Sequence, residues 1–224
     1  MMKLSEATTN VLKNFATINS GIQIKQGNVI RTISKQQNVL GKATVTENFE
    51  SEFVIYDLNR FLSVITSLND PDITINSSKN VLSITSGSSK TTYGLSDAAM
   101  IVAPPAKEIK IDQPEVEFKL TKDAFSQIQK MSSVLGLPNI GVIGNGKKIK
   151  LSTFDAKNDG SDDFSIDVGD TDAKFKMIFS SENLKIIPGN YNVSITSKGI
   201  SHFKNETDPI EYWIAVEPGS SYEE

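Results

Sequence analysis

Helical and strand-like spacings of apolar residues alternate along this chain. The first helix is predicted from Ser5 to Phe15, with Ser5 as its N-cap. Its apolar residues recur every three or four positions, the period of a helix with one buried face; they are Leu4, Ala7, Val11, Leu12 and Phe15. A second helix is predicted after Asp57, which caps it, and proline at position 71 ends the pattern. Its inward residues are Leu58, Phe61, Leu62, Ile65 and Leu68.

Short segments between these helices alternate apolar and polar residues, which is the period of a half-buried strand. In the first half they are Gly21–Gln26, Val29–Ser34, Val39–Thr46, Glu52–Tyr56, Ile73–Asn76, Val81–Thr85 and Lys90–Leu95. The turns that join them are short and rich in Gly, Asn and Ser. Short turns favour antiparallel pairing, so we expect antiparallel sheet.

The second half repeats this order after a stretch of different character. Residues 96–114 contain Pro104, Pro105 and Pro114 and interrupt the rhythm, which predicts a linker. Thr121 then caps a third helix, and Ser180 or Ser181 caps a short fourth helix that contains Leu184 and Ile187. The predicted strands are Val116–Leu120, Ile140–Ile143, Lys148–Phe154, Phe164–Val168, Lys174–Phe179, Tyr191–Thr196, Gly199–Phe203 and Ile210–Val216.

The predicted fold class is therefore α+β, with two similar domains of antiparallel sheet and two helices each. The domains are residues 1–95 and 115–224, joined by the linker 96–114. A chain of 224 residues with 38% hydrophobic residues can build cores of this size. Its polar start predicts no signal peptide, and no apolar run reaches the roughly 20 residues of a membrane helix.

Composition excludes several kinds of chemistry. The chain has no cysteine, which removes disulfides, thiolate metal sites and cysteine nucleophiles. His202 is the single histidine, so no histidine-rich metal site is possible, and any Ser-His-Asp triad would have to use it. We predict no catalytic residue, no metal and no cofactor. The net charge of −4 alone argues against a nucleic-acid-binding protein.

The polar faces of the predicted helices nevertheless share a charge pattern. Carboxylates occur only near helix starts, where they complement the positive end of the helix dipole. Beyond the first turn the polar residues are cationic or neutral, whereas a solvated helix usually carries both signs. This pattern favours a surface that faces a polyanion, although chance in short helices rich in Asn and Ser also produces it. The residues predicted to face DNA are Asn10, Lys13, Asn14, Arg60, Lys122, Lys130 and Lys185.

Several stretches resemble the DNA sliding clamps of T-even-like bacteriophages. They are Val11–Ile22, Ile55–Leu62, Met100–Pro104, Pro188–Tyr191 and Tyr212–Glu217, with Ser220 and Ser221 near the end. The likeness runs from the first helix to the last strand. It is weak between Asn139 and Thr171, a stretch that includes an acidic loop.

The resemblance implies the fold of proliferating cell nuclear antigen, with three two-domain subunits in a ring around duplex DNA. It implies a non-enzymatic processivity factor that is loaded by a clamp loader and tethers the DNA polymerase. It also implies support of late transcription, and a location in the cytoplasm of the infected bacterial host.

Family partners insert a hydrophobic peptide between the linker and the C-terminal strand. By position, the resemblance places this pocket at Met100, Ile101, Val102, Ala215, Val216 and Pro218. The alternative is that these residues pin the linker to its own domain. Ring closure would pair edge strands of neighbouring subunits, by element order Lys90–Leu95 and Phe164–Val168, because an unpaired edge is a liability.

Two other motifs carry less weight. Gly141–Lys148 nearly matches a P-loop but has Lys148 in place of the Ser or Thr that holds Mg²⁺, and Gly144-Asn145-Gly146 fits a hairpin turn better. The acidic cluster between Asp155 and Asp172 lacks the spacing of an EF-hand and is predicted to be a solvated loop. Two further classes stay open at this point, a phage structural protein and a carboxylate-based hydrolase that uses this cluster.

Overall fold

The computed structural model describes residues 2–223, and it divides them into two compact units. The first unit runs up to Lys107 and the second starts at Glu108. Both units combine antiparallel sheet with helix, as the predicted α+β class requires. Among residues 2–223, no helix has both the length and the apolar character needed to span a bilayer.

The first unit contains two α-helices and seven strands. The helices are α1 (Glu6–Ile18) and α2 (Leu58–Thr66). The strands are β1 (Ile22–Ile24), β2 (Gly27–Ile33), β3 (Val39–Phe49), β4 (Phe53–Ile55), β5 (Asp72–Asn76), β6 (Val81–Ser86) and β7 (Ser89–Gly94). All pair antiparallel, β1 with β4, β2 with β3, and β5–β6–β7 in that order. Strand β7 is therefore an edge of its three-stranded sheet.

Local signals fix the helices of this unit as the sequence predicts. The Ser5 hydroxyl accepts the Thr8 amide at 3.2 Å, and the Asp57 carboxylate accepts the Arg60 amide at 2.9 Å. Each bond satisfies one orphan amide of the first helical turn. The apolar stripe of α1 is buried at Leu12 and Phe15, where the helix packs on β3 and α2.

The second unit is built around one α-helix, α3 (Lys122–Leu135), and nine strands. They are β8 (Val116–Leu120), β9 (Asn139–Asn145), β10 (Lys148–Phe154), β11 (Phe164–Asp170), β12 (Lys174–Ser180), β13 (Tyr191–Ile195), β14 (Ile200–Asn205), β15 (Ile210–Ala215) and β16 (Ser221–Glu223). One sheet has the order β11-β10-β9-β12-β16, so β11 is an edge strand; in the other, β15, β14, β13 and β8 are successive neighbours. The predicted cap Thr121 is confirmed, since its hydroxyl accepts the Ala124 amide at 3.2 Å.

The predicted fourth α-helix is wrong. Residues Ser181–Leu184 form only a four-residue 3₁₀ turn, and Ser180 makes no side-chain capping bond. The chain leaves helical geometry at Lys185, where ψ is 57°. Two buried tyrosines then hold the backbone of Ile187: its amide donates to the Tyr212 hydroxyl at 3.3 Å, and its carbonyl accepts the Tyr191 hydroxyl at 2.5 Å. Because these bonds take the backbone groups that a longer helix would need, the second unit has one α-helix.

Candidate nucleic-acid interface

The exposed face of α1 carries no carboxylate beyond its first turn. Asn10, Lys13 and Thr17 are exposed at intervals of three and four residues, so they lie on one face. Asn14, also predicted to face DNA, is half-buried beside them. Glu6 is the one acidic residue of the helix, and it lies in the first turn. The face therefore presents one cation and several hydrogen-bonding groups.

Helix α2 repeats this pattern with an arginine. Asn59, Arg60, Ser63 and Ser67 are exposed, while Asp57 serves as the cap before the helix. Helix α3 exposes Lys122, Ser126, Gln127, Lys130 and Ser133, and its one acidic residue, Asp123, is in the first turn. All three helices thus have the carboxylate-free faces that the sequence indicates.

Four of the predicted DNA-facing cations have no acidic partner in the described part of the chain. Lys13, Arg60, Lys122 and Lys130 form no ion pair within residues 2–223. Lys185 differs, because it lies just after the 3₁₀ turn and pairs with Glu182. Its predicted place on a fourth helix face is therefore wrong, and its charge is partly neutralised.

The exposed hydroxyl groups of α1 and α2 bond to their own helices. Thr17 donates to the Asn14 carbonyl at 2.7 Å, Ser63 to the Asn59 carbonyl at 2.9 Å, and Ser67 to the Ser63 carbonyl at 2.7 Å. This back-bonding is common for Ser and Thr inside helices. As a result, the donors left on the exposed faces of these two helices are mainly Lys, Arg and Asn.

The segment around Met100 is apolar and held at several points within the first unit. Residues Ala98–Met100 form a 3₁₀ turn capped by Asp97, and Met100 is 62% exposed. Ile101 and Val102 are half-buried. The Cγ2 atom of Ile101 lies so close to Gly21 that a Cβ there would approach it to 2.6 Å.

Two polar side chains secure the same segment. Buried Asn19 donates from Nδ2 to the carbonyls of Ile33 at 2.8 Å and Val102 at 3.1 Å. Arg31 donates to the Pro105 carbonyl at 2.9 Å. Ile101 and Val102 therefore contact their own unit, whereas Met100 is exposed, and the pocket role of all three residues stays a prediction.

The C-terminal group of predicted pocket residues lies in the second unit. Ala215 and Val216 are half-buried, and Pro218 is exposed. The Val216 amide donates to the Gly199 carbonyl at 3.0 Å, and the Glu217 amide donates to the Ile178 carbonyl at 2.7 Å. The backbone is therefore fixed on both sides of this group, and its pocket role stays a prediction.

Comparisons with known proteins show the family to which the chain belongs. Residues 3–103 match the family model "DNA polymerase processivity factor", and residues 117–218 match "gp45 sliding clamp, C terminal". The sliding clamp of Vibrio phage KVP40 is 35% identical, over 96% of this chain and 99% of the relative. The sliding clamps of Enterobacteria phage T4 and Escherichia phage RB69 are 30% and 29% identical, over 99% of this chain and 100% of each relative. The chain belongs to the sliding-clamp family. This clamp is a DNA polymerase processivity factor, as predicted.

Solved structures confirm the predicted fold. The crystal structure of proliferating cellular nuclear antigen from Entamoeba histolytica has a TM-score of 0.65 at 14% identity, over 93% of this clamp and 94% of that chain. The A. fulgidus protein, solved with the C-terminal region of FEN-1 bound, has a TM-score of 0.69 at 12% identity, over 95% and 96%. At these identities the likeness establishes the fold alone.

The remaining motifs of this clamp have structural roles. Gly146 and Lys147 form the turn between β9 and β10, and the side chain of Asn145, the last residue of β9, accepts the amides of Lys147 and Lys148. The near P-loop is therefore the predicted hairpin. His202 stacks on Trp213 with ring centroids 4.6 Å apart, and its Nε2 lies 2.8 Å from a Glu211 oxygen. Within residues 2–223, no three His, Asp or Glu side chains converge into a group that could hold a metal ion.

Sequence reasoning missed the polar groups that position α1 and the Met100 segment. Glu47, on β3, accepts hydrogen bonds from the Ser5 amide and the Thr8 hydroxyl, so it caps α1 from a distant strand. Partial burial alone raises the pKa of Glu47, but these hydrogen bonds outweigh burial and hold the pKa below its ordinary value. Asn19 and Arg31 likewise act across long sequence separations, which no local pattern reveals.

Proposed function

We propose that three copies of this clamp close into a ring around duplex DNA and tether the replicative polymerase to it. The observation that carries this proposal is the set of carboxylate-free faces on α1, α2 and α3 in a protein of net charge −4. An acidic protein that keeps carboxylates off three helix faces has a surface suited to a polyanion.

The four helix cations described above are the proposed phosphate contacts. Lys13, Arg60, Lys122 and Lys130 stand on different turns or helices, so each reaches a phosphate separately. Contacts of this kind do not read bases, and each neutralised phosphate adds a salt-dependent increment of affinity. Binding is therefore weak and independent of sequence, and a closed ring supplies the retention.

Edge strands β7 and β11 are the proposed sites of ring closure. Each lies at the edge of an antiparallel sheet and presents unpaired backbone groups. The strands predicted from element order, Lys90–Leu95 and Phe164–Val168, overlap these two edges with end differences of no more than two residues. Pairing β7 of one copy with β11 of the next would cover both edges.

The partner surface of the first unit is proposed to centre on Met100, with Ile101 and Val102 shaping the segment. In the second unit, Ala215, Val216 and Pro218 are the residues proposed to contact partners. The polymerase, the clamp loader and the late-transcription machinery are the proposed partners. The predicted linker 96–114 includes this segment. Exposed Met100 supports the proposal, because flexible Met side chains suit adaptable apolar recognition.

The clamp is proposed to act without catalysis or a cofactor, in the cytoplasm of the infected bacterial host. A tail or capsid-associated protein is set aside, because the relatives that match nearly the whole chain are named sliding clamps. Belonging to a family of processivity factors supports the non-enzymatic role. The acidic loop is proposed to keep DNA off the outside of the ring.

Light scattering across a range of concentrations tests the assembly. A species near three times 24.5 kDa is expected. The proposed ring is ruled out if the protein stays monomeric at high concentration and is also not retained on circular DNA in the presence of its loader.

Salt dependence tests the DNA-facing helices. We compare Lys13→Gln combined with Lys130→Gln against a control of Lys79→Gln combined with Lys147→Gln, two exposed lysines in turns. Affinity for a short duplex is measured by anisotropy over a range of salt. The first variant should lower the log–log slope by about 0.9 for each phosphate that it no longer neutralises, and the control should leave the slope unchanged. Equal slopes in all three proteins would show that the helices do not face DNA.

A further inference from the structure

Four lysines lie together on one face of the five-stranded sheet of the second unit. The residues that alternate with them along β10 and β12, such as Leu151 and Met177, are buried on the other face, where α3 packs. Lys150 of β10 and Lys176 of β12 both pair directly with Ile143 of β9, so these side chains form one row across the sheet. We call this surface the lysine face; it consists of Lys148, Lys150, Lys174 and Lys176 around Asn145 and Ile143.

The lysines of this face are close to one another. Adjacent strands are about 4.8 Å apart, so the lysines of β10 and those of β12 are attached about 10 Å apart, on either side of β9. Two residues along one strand span about 7 Å. Like charges that share a sheet face repel one another, so a ligand of opposite charge would remove an unfavourable interaction.

Carboxylates border the lysine face on both edges of the sheet. Strand β11 supplies two of them and β16 supplies one. The distances from lysine Nζ to carboxylate oxygen are 2.6 Å for Lys148 and Asp170, 4.0 Å for Lys150 and Asp167, and 3.8 Å for Lys174 and Glu223. Each of these side chains is at least 42% exposed, so the pairs contribute little and the lysines can exchange them for pairs with another carboxylate.

Lys176 differs from the other three lysines, because it has no carboxylate partner within residues 2–223. Its Nζ lies 4.8 Å from the centroid of the Phe154 ring, which is a cation–π contact. Phe154 and Ile143 are both half-buried. The lysine face therefore presents apolar surface beside its positive charge.

The dimensions and borders of the lysine face fit an acidic peptide better than a nucleic acid. A width of about 10 Å between β10 and β12 accommodates one extended chain. A duplex, whose major groove alone is about 12 Å wide, would extend over the carboxylates at the borders. The half-buried rings and branched chains at Phe154 and Ile143 also suit apolar side chains, which a phosphate backbone does not have. In addition, the helix face of α3 that is proposed to bind DNA lies on the other side of this sheet.

We propose that the lysine face is a docking site for an acidic segment of a partner protein. Carboxylates of that segment pair with Lys150 and Lys176, and one of its apolar side chains rests on Ile143 between them. This surface adds to the proposed function a second place for partners, on residues different from those around Met100. Binding to it does not require a closed ring.

Fluorescence anisotropy with an acidic peptide tests the proposal. The probe is a short fluorescein-labelled peptide of glutamates around a central leucine, and the variant combines Lys150→Gln with Lys176→Gln. At low salt the variant should bind the probe about three- to tenfold more weakly than wild type, because two ion pairs are lost. The matched control combines Lys198→Gln with Lys204→Gln, two exposed lysines of the second unit outside the lysine face, and should bind the probe as wild type does. Circular dichroism checks that both variants are folded.

The outcomes separate this surface from the DNA-facing helices and from the ring. The proposal is overturned if wild type does not bind the probe. It is also overturned if both double variants lose affinity equally, because net charge would then explain the binding. If the lysine-face variant loses affinity for a short labelled duplex and keeps its affinity for the peptide, the face binds nucleic acid and the proposal is again overturned. The mass of wild type in solution tests the ring independently of all these results.

A single substitution at the centre of the face tests the apolar contact. Ile143→Thr keeps a β-branched side chain that suits a strand but removes apolar surface. It should bind the leucine probe about two- to fivefold more weakly than wild type, and it should bind a probe with a central serine as wild type does. Equal affinity of Ile143→Thr and wild type for the leucine probe would contradict the contact with Ile143.

Discussion

Replacing Glu47 by Gln should destabilise the clamp although the substitution lies on a strand and removes no apolar contact. The Glu47 carboxylate accepts hydrogen bonds from the Ser5 amide, the Thr8 hydroxyl and, at 3.1 Å, the Thr46 hydroxyl. Gln keeps the shape and one acceptor oxygen but loses the charge. Two of these donors belong to the start of α1, so the substitution weakens the attachment of that helix to β3.

The expected loss of stability in Glu47→Gln follows from the hydrogen bonds of the carboxylate and from its exposure to solvent. A hydrogen bond to a charged group contributes about 1.5–3 kcal/mol when it is well buried, and an N-cap contributes about 1 kcal/mol. Glu47 is only half-buried, which reduces the first figure through solvent screening. We therefore expect a loss of about 1–2 kcal/mol in the free energy of unfolding, or about 3–6 °C in Tm for a chain of this length.

The pH dependence has a definite sign. Because the folded state lowers the pKa of Glu47, its stabilisation is fully present above the unfolded-state value, about 4.3. It is lost as pH falls through the lower, folded-state pKa. The difference between wild type and Glu47→Gln should therefore be constant near neutral pH and shrink towards zero in acid.

Urea denaturation followed by far-ultraviolet circular dichroism at several pH values measures this difference. Glu50→Gln is the matched control, since Glu50 is exposed close to the end of β3, and it should change stability by less than about 0.5 kcal/mol. If Glu47→Gln matches wild type at neutral pH, or if its deficit persists unchanged in acid, the capping role of the carboxylate is refuted.

Three further substitutions have definite expectations. Gly21→Ala would bring a Cβ within 2.6 Å of Ile101 Cγ2 and should cost about 1–3 kcal/mol in urea denaturation, and less in an Ile101→Ala background. Gly136→Ala forces a left-handed C-cap with φ of 65° on alanine and should lower Tm through a loss of about 1 kcal/mol. Tyr191→Phe leaves the half-buried Ile187 carbonyl without its donor and should cost about 1–2 kcal/mol. Burial also raises the pKa of Tyr191 to about 12, so wild-type stability should fall above pH 10 and that of Tyr191→Phe should fall less.

Periodicity and capping chemistry predicted the parts of this fold that depend on local sequence. Ser5, Asp57 and Thr121 are side-chain acceptors followed by apolar residues at helical spacing, and each caps a helix. The alternating segments became antiparallel strands because short turns leave the chain few other ways to pair. The positions of carboxylates on the helices could also be predicted from the sequence, because they depend only on where each residue lies within its helix.

Features that depend on distant residues could not be read in this way. The region of Ser181–Leu184 has apolar residues at plausible helical positions, but Tyr191 and Tyr212, from two later strands, take the backbone groups of Ile187. Strand β16 pairs with β12 although only three residues long, too short for a pattern. The sequence identifies Glu47 only as a polar residue of a strand, and its position at the start of α1 is a result of the fold.

The back-bonded hydroxyls of α1 and α2 have a consequence for movement along DNA. A hydroxyl that donates to its own helix has no proton left to donate to a phosphate, so the proposed phosphate contacts of these helices would be made mainly by long Lys and Arg side chains. A flexible cation can pass from one phosphate to the next with little change in free energy. The proposed ring would therefore experience a smooth energy profile along the duplex, and its one-dimensional diffusion would be limited by solvent drag more than by the breaking of ionic bonds.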